Sequence, residues 1–350
     1  MRRSFVLLAL LTACDGDKAP STDDTAAEVV PVEGCRATPL PKSAPRLVAA
    51  SLPYTASGAA ADSWTLLQLK DETLSATGVA FEMGRGGGDA VVWSPDGSLG
   101  VAVQDDGSLG VFTAEGEVVH AAWSEGLYAG DVMFDPKGET LWVIDGNWVE
   151  NGGGVYEVGV DCATGALSLV GLVVQSKLGE HLLGDVLIAD AAAQTITLPG
   201  GALGQTTDLF GHEDAIVGGA ARRGDTIYVG DNSAFSSEPN RVAIASVGDT
   251  ITPLGLFDVY DPYAIVAVEG GAIVSSGFGD EIIAVDAEGV LDVMPSELPG
   301  AVTLGPDELA LVAEVSGVRL VRLEGGALVE IGFFDTPALE DMIGSLGVQP

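Results

Sequence analysis

Two stretches of this chain follow one grammar. Asp89 to Trp93 is an apolar run, Ser94-Pro95-Asp96-Gly97 a tight turn, and Leu99 to Val103 a second apolar run closed by Asp105. The same order returns at Asp131 to Phe134, Asp135-Pro136-Lys137-Gly138 and Leu141 to Ile144, closed by Asp145. In each turn Pro presets one backbone dihedral and Gly accepts a positive one, so strand–turn–strand is the local outcome. One such unit cannot bury its apolar face alone. A strand-built repeat of about 40 residues therefore predicts modules that pack on their neighbours around an axis, a β-propeller.

The chain from Arg46 to Pro350 obeys this pattern with no heptad and no three-helix segment, and most of the chain's 48 glycines punctuate its short Val, Ile, Leu and Ala runs. That composition belongs to an all-β array with frequent turns. We place units near 46–84, 89–127, 129–175, 181–211, 212–257, 261–300 and 301–334. The first unit lacks an innermost strand, and the last segment, Leu339 to Val348, is a spare one. Joining them closes the ring and removes the exposed edges. The expected fold is all-β: a propeller of seven four-stranded blades closed by the C-terminal strand. The fourth unit carries the weakest pattern, which leaves six or eight blades as the alternatives.

Ahead of the repeats, Arg2 and Arg3 precede an apolar stretch from Phe5 to Leu11 and then small residues. This is the plan of a secretory signal peptide, too short to remain as a spanning helix. Leu11-Thr12-Ala13-Cys14 resembles the lipobox of bacterial lipoproteins, which implies cleavage after residue 13 and lipidation of Cys14; the plainer alternative is an ordinary signal peptide with a chance cysteine. Stable anchoring needs more than one acyl chain, and a tri-acylated cysteine would supply it. The implied organisation is a signal peptide (1–13), lipidated Cys14 with a disordered tether (14–45) and the propeller (46–350). The implied location is the extracytoplasmic side of a bacterial envelope membrane. From Asp15 to Pro45 the chain is rich in Asp, Thr, Ala and Pro, with too few large apolar residues to order itself. Cys35 and Cys162 remain as an even pair, a candidate disulfide in an exported protein, with two separate thiols as the alternative.

The formal charge is −36, and loss of residues 1–13, which carry two arginines and no acid, makes it −38. Such a field repels nucleic acid, which is excluded as a partner, and favours solubility, divalent cations or basic partners.

The Ser94–Gly97 and Asp135–Gly138 turns with the strands behind them, and Tyr156-Glu157-Val158 running to Ala163-Thr164-Gly165-Ala166-Leu167, resemble the repeats of the lactonase-like and YVTN-type propellers. In a four-stranded blade the innermost strand runs from face to face. Pro95-Asp96-Gly97, Pro136-Lys137-Gly138, Arg222-Arg223-Gly224 and Pro306-Asp307 are then expected on one face, here called the bottom. Asp89, Asp131, Glu213, Asp214 and Asp261 fall on the top near the axis, with Asp105, Asp145, Asn147, Asp231 and Asn232 further out. Ca²⁺ takes six to eight oxygen ligands, and Asp89, Asp131, Asp214 and Asp261 are the candidate metal set. Relatives similar to gluconolactonase and regucalcin hold a divalent ion with Glu, Asn and Asp from different blades. This chain has no Glu-Gly-Pro start and no Asn that matches theirs, and the sequence dictates no cofactor. The competing reading is that each Asp caps a turn or bonds the adjoining blade's backbone.

Two longer hairpins, Asp145 to Gly154 with Trp148 and Asp231 to Arg241 with Phe235 and Asn240, are candidate partner-binding loops, since binding residues concentrate on loops held by a rigid scaffold. His120, His181 and His212 fall in no zinc spacing, and there is no Gly-x-Ser-x-Gly elbow. His212, beside Glu213 and Asp214, is the candidate general base. The leading functional expectation is a monomeric, membrane-anchored module that binds or scaffolds an envelope protein or a small molecule. The alternative is a lactone or ester hydrolase in which a divalent ion on the top face polarises a carbonyl and activates water.

Overall fold

The computed structural model describes residues 35, 39–52, 63–147, 149–150, 152–212, 214–233, 238–335 and 343–350, with backbone only at 87–90. Seven antiparallel sheets form seven blades of a β-propeller. Blade 1 holds β1 (Arg46–Leu52), β2 (Ser63–Lys70) and β3 (Thr73–Glu82); blade 2 holds β4 (Gly86–Trp93), β5 (Leu99–Gln104), β6 (Leu109–Thr113) and β7 (Val118–Trp123). Blade 3 holds β8 (Ala129–Phe134), β9 (Thr140–Asp145), β10 (Gly154–Asp161) and β11 (Ala166–Val174). Blade 4 holds β12 (Gly179–Leu182), β13 (Val186–Ala189), β14 (Ala192–Thr197), β15 (Ala202–Leu203) and β16 (Thr207–Asp208). Blade 5 holds β17 (Val217–Arg223), β18 (Thr226–Asp231), β19 (Arg241–Val247) and β20 (Ile251–Asp258); blade 6 holds β21 (Pro262–Val268), β22 (Gly271–Ser276), β23 (Glu281–Asp286) and β24 (Gly289–Pro295). Blade 7 holds β25 (Val302–Leu304), β26 (Ala310–Glu314), β27 (Gly317–Glu324) and β28 (Ala327–Asp335), and the chain ends in β29 (Ser345–Val348).

The weak pattern of the fourth unit has a physical source. Its outer strand is split: β15 and β16 both pair with β14, because Leu198-Pro199-Gly200-Gly201 turns the chain where a longer strand would run. Proline has no N–H to give a ladder. The blade limits shift slightly elsewhere. Gly86 to Asp89 lie inside β4, and Asp131 lies inside β8, so neither acid precedes its innermost strand.

β29 pairs with β1 (Val48 opposite Val348, Ala50 opposite Leu346) and supplies the strand that blade 1 lacks. Side chains lock the closure from blade 2 as well. Trp93 Nε1 donates to the Gly347 carbonyl at 3.0 Å. The buried Gln349 amide accepts from Leu47 N at 2.8 Å and donates to Gly97 O at 2.6 Å. A Cβ on Gly347 would stand 2.5 Å from Val91 Cγ1, so glycine lets β29 lie this close to blade 2.

Among the described residues, buried apolar side chains fall into seven clusters, each shared by two adjacent blades. Between blades 1 and 2, for example, Trp64, Phe112 and Trp93 meet, with the Trp93 and Phe112 rings edge to face at 5.2 Å. Hydrophobic stabilisation thus sits between blades, as the quasi-repetitive build requires.

The bottom face gathers the turns expected there. Arg223 Nη1 lies 2.8 and 2.9 Å from the two Glu308 oxygens, and Arg222 pairs with Asp185 across blades 4 and 5. Cys35 and Cys162 form a disulfide, Cα to Cα 5.1 Å, which ties the residues before blade 1 to the β10–β11 turn of blade 3. The buried Arg46 guanidinium then donates to the carbonyls of Leu40, Pro41 and Ala44. From Cys35 onward, the described part of the stretch read as a tether is fastened to the domain.

Candidate ligand-binding site

In five blades the second strand ends in a buried polar residue: Gln104, Asp145, Asp231, Ser276 and Glu314. Four of them grip the connector that enters the same blade. Asp145 Oδ1 accepts from Tyr128 N at 2.9 Å and Asp231 Oδ1 from Ile216 N at 3.0 Å. Ser276 Oγ donates to the Tyr260 carbonyl, and Glu314 Oε1 accepts from Ser296 Oγ at 2.6 Å. The acidic end of the repeat is a latch for the top rim. Asp105 is different: Gln104 occupies the latch position, and the Asp105 side chain is 47 % exposed, facing Arg85 at 3.5 Å.

The carboxylates expected to hold a metal are likewise engaged with backbone or kept apart. Asp131 Oδ1 accepts from Val132 N, and its Oδ2 reaches blade 4, accepting from Leu182 N at 2.8 Å. Burial raises the Asp131 pKa against the pull of His181 and these two N–H groups. His181 donates from Nε2 to the Gly218 carbonyl of blade 5 at 3.1 Å and leaves Nδ1 3.9 Å from Asp131, so blades 3, 4 and 5 are linked near the axis. Asp261 Oδ2 accepts from Phe278 N at 2.7 Å, and Asp214 lies exposed in the connector before β17. The side chain of Asp89 is outside the described residues. Among the described residues no three His, Cys, Asp or Glu side chains gather as a metal ion would require, and Asp131, Asp214 and Asp261 are not brought together.

His212 Nε2 stands 3.0 Å from Asp231 Oδ2, and its buried Nδ1 has no hydrogen-bond partner among the described residues. The imidazole backs the rim latch of blade 5. Trp148, Phe235 and Glu213 lie outside the described residues.

What the top face does build is a cavity of about 800 Å³ over blades 5, 6, 7 and the start of the closing strand. Its aromatic wall is Tyr260, Tyr263 and Phe278, which are 63 %, 39 % and 78 % exposed. Leu298, Pro299 and Ile343 add an apolar floor. The polar wall is a relay between two blades. Asn240 Nδ2 donates to Ser233 O at 3.0 Å, Asn240 Oδ1 accepts from Asp261 N at 3.3 Å, and Asp261 accepts from Phe278 N. Asp261 makes this bend in the left-handed region, at φ 47°. Asx residues tolerate that region better than most. The sequence singled out Asn240 in a candidate partner-binding loop, and Asn232 and Asp261 among the polar residues of the top face. It missed Tyr260, Tyr263 and Phe278, although Tyr260-Asp261-Pro262-Tyr263, aromatic residues flanking a turn before an innermost strand, was the available signal.

No family model and no curated protein sequence matches the chain. Among solved structures it is similar to a Bacteroides uniformis protein that carries the provisional label 6-phosphogluconolactonase, at 12 % identity and TM-score 0.61, over 87 % of this chain and 99 % of that one. It is also similar to the dihydro-heme d1 dehydrogenase NirN in complex with DHE (13 % identity, TM-score 0.56, 89 % and 76 % covered). A third similarity is to the C-terminal WD40 domain of Sif2 (13 %, TM-score 0.51, 89 % and 90 % covered). At such identities the likeness shows the propeller fold alone.

Proposed function

We propose that this chain is an exported module, held to a membrane through lipidated Cys14, whose top face binds a ligand in the cavity lined by Tyr260, Tyr263 and Phe278. The cavity carries the reading. Solvent-exposed rings are costly on a soluble surface unless something covers them, and cavities of about 300–1,000 Å³ with apolar walls and a few placed polar groups are the usual form of ligand sites. The Ser233–Asn240–Asp261–Phe278 relay holds one wall of the cavity in place. Such preorganisation lowers the entropic cost of binding.

A thermal-shift screen of soluble metabolites on the full chain, repeated with Phe278→Ser, tests the proposal. Ligands should raise the melting temperature of the parent and lose that effect in the variant. A screen without hits, or hits indifferent to Phe278→Ser, would remove the binding role.

A further inference from the structure

We infer that the cavity takes a small organic cation, a primary ammonium group on an apolar body; this deepens the reading of the cavity as a binding site and rests on it. Two observations carry the assignment. First, the lining has no Lys, Arg or His among the described residues, but includes Asp261 and Glu238. Glu238 shares Arg241 with Asp258, at 3.3 Å each, so one guanidinium faces two acids there. Asp261 pairs with no cationic side chain among the described residues; one of its oxygens accepts from Phe278 N, and the local balance is negative. Second, the faces of Tyr and Phe rings attract cations through their quadrupole, and three such rings share this wall.

An anionic ligand meets two carboxylates and, among the described lining residues, no cationic side chain. A neutral polar ligand could hydrogen-bond Asn232 or a carboxylate but would gain no charge–charge attraction. An ammonium group uses the carboxylate charge and the aromatic rings together, while Leu298, Pro299 and Ile343 accept its apolar part.

The test compares 2-phenylethylamine, charged at neutral pH, with its uncharged counterpart 2-phenylethanol, titrated into the full chain and followed by intrinsic fluorescence and calorimetry. The expected result is binding of the amine at least about tenfold tighter than the alcohol. Asp261→Asn should erase that preference. The substitution keeps an oxygen for Phe278 N and tolerates positive φ, so it removes charge with little change of shape. Weakening of the amine by added salt should accompany it. Equal binding of amine and alcohol would overturn the cation assignment and leave the cavity as a neutral site. Failure of the amine to bind would overturn it too, and hits for neutral compounds in the metabolite screen would show that the broader binding role survives. Binding unchanged in both Asp261→Asn and Phe278→Ser would place the amine elsewhere and end the proposal.

Discussion

Asp231, fully buried at the end of β18, stands 3.0 Å from His212 through one oxygen, while the other accepts from Ile216 N and Ser233 N at 3.0 Å each. One carboxylate therefore fixes the connector into blade 5 and the hairpin that opens the cavity wall. Replacing Asp231 with Ala leaves the buried Ser233 N–H, the Ile216 N–H and an imidazole without their acceptor and should cost about 3 kcal/mol of stability. Asp145→Ala should behave alike in blade 3. Asp105→Ala, at an exposed residue one step past its latch position, should stay within about 0.5 kcal/mol. Urea denaturation of the three variants checks the ranking, and a large cost at Asp105 would refute the latch.

The pH dependence of stability should carry the mark of Glu180. Burial on β12 and the neighbouring Asp190 carboxylate push its pKa to about 7, against N–H groups of Ala191 and Val217 that pull it down. Between the ordinary value of 4.5 and about 7 the folded chain binds this proton more tightly than the unfolded chain. Its contribution is then greatest below the lower value and is lost as pH rises to the upper one. Glu180→Gln keeps an oxygen for Ala191 N and removes the charge. It should raise stability by about 2 kcal/mol near pH 8 and leave it unchanged near pH 4. The same gain at both pH values would show that the effect is not the carboxylate's titration.

Ring closure depends on the last residues of the chain. Gln349→Ala removes two hydrogen bonds to blades 1 and 2 and should cost about 2 kcal/mol. Gly347→Val, which drives a branched side chain into Val91, should cost more, beyond about 3 kcal/mol. Deleting 344–350 opens the edge of β1, and the truncated chain should self-associate. Size-exclusion chromatography and denaturation midpoints read the series; a monomeric, fully stable truncation would contradict it.

The fold was legible because its determinants are local and repeated. Ser94-Pro95-Asp96-Gly97 and Asp135-Pro136-Lys137-Gly138 announce turns by dihedral preference alone, and the unmatched strand at Leu346 is arithmetic on the units. The acids were harder. A carboxylate near a strand end reads the same whether it meets a metal or an amide, and only the register placing Asp131 beside Leu182, or Asp261 beside Phe278, distinguishes the two. The cavity was harder still, since Asn232, Tyr260, Phe278 and Ile343 come together through curvature that no single segment encodes.

The proposed lipidation of Cys14, read from Leu11-Thr12-Ala13-Cys14, predicts a membrane-bound mature protein. Expressed in a bacterial host with labelled palmitate, the chain should incorporate label and sediment with membranes, and Cys14→Ser should do neither. Label retained in Cys14→Ser would sink the anchor.

The disulfide closes a loop of sequence separation 127 between the segment before blade 1 and the outer turn of blade 3. On the chain-entropy account, a loop of that size is worth about 4–5 kcal/mol by restricting the unfolded chain. Cys35→Ser with Cys162→Ser should therefore lower the denaturation midpoint while keeping the blade interfaces, whose clusters lie elsewhere in the described residues. It should also release the 39–44 stretch, which the covalent bond and Arg46 hold between them. Trypsin should then cut at Lys42 well before it attacks the propeller, whereas the oxidised parent resists at that site. Equal cutting at Lys42 in both proteins would mean that Arg46 alone fastens the segment.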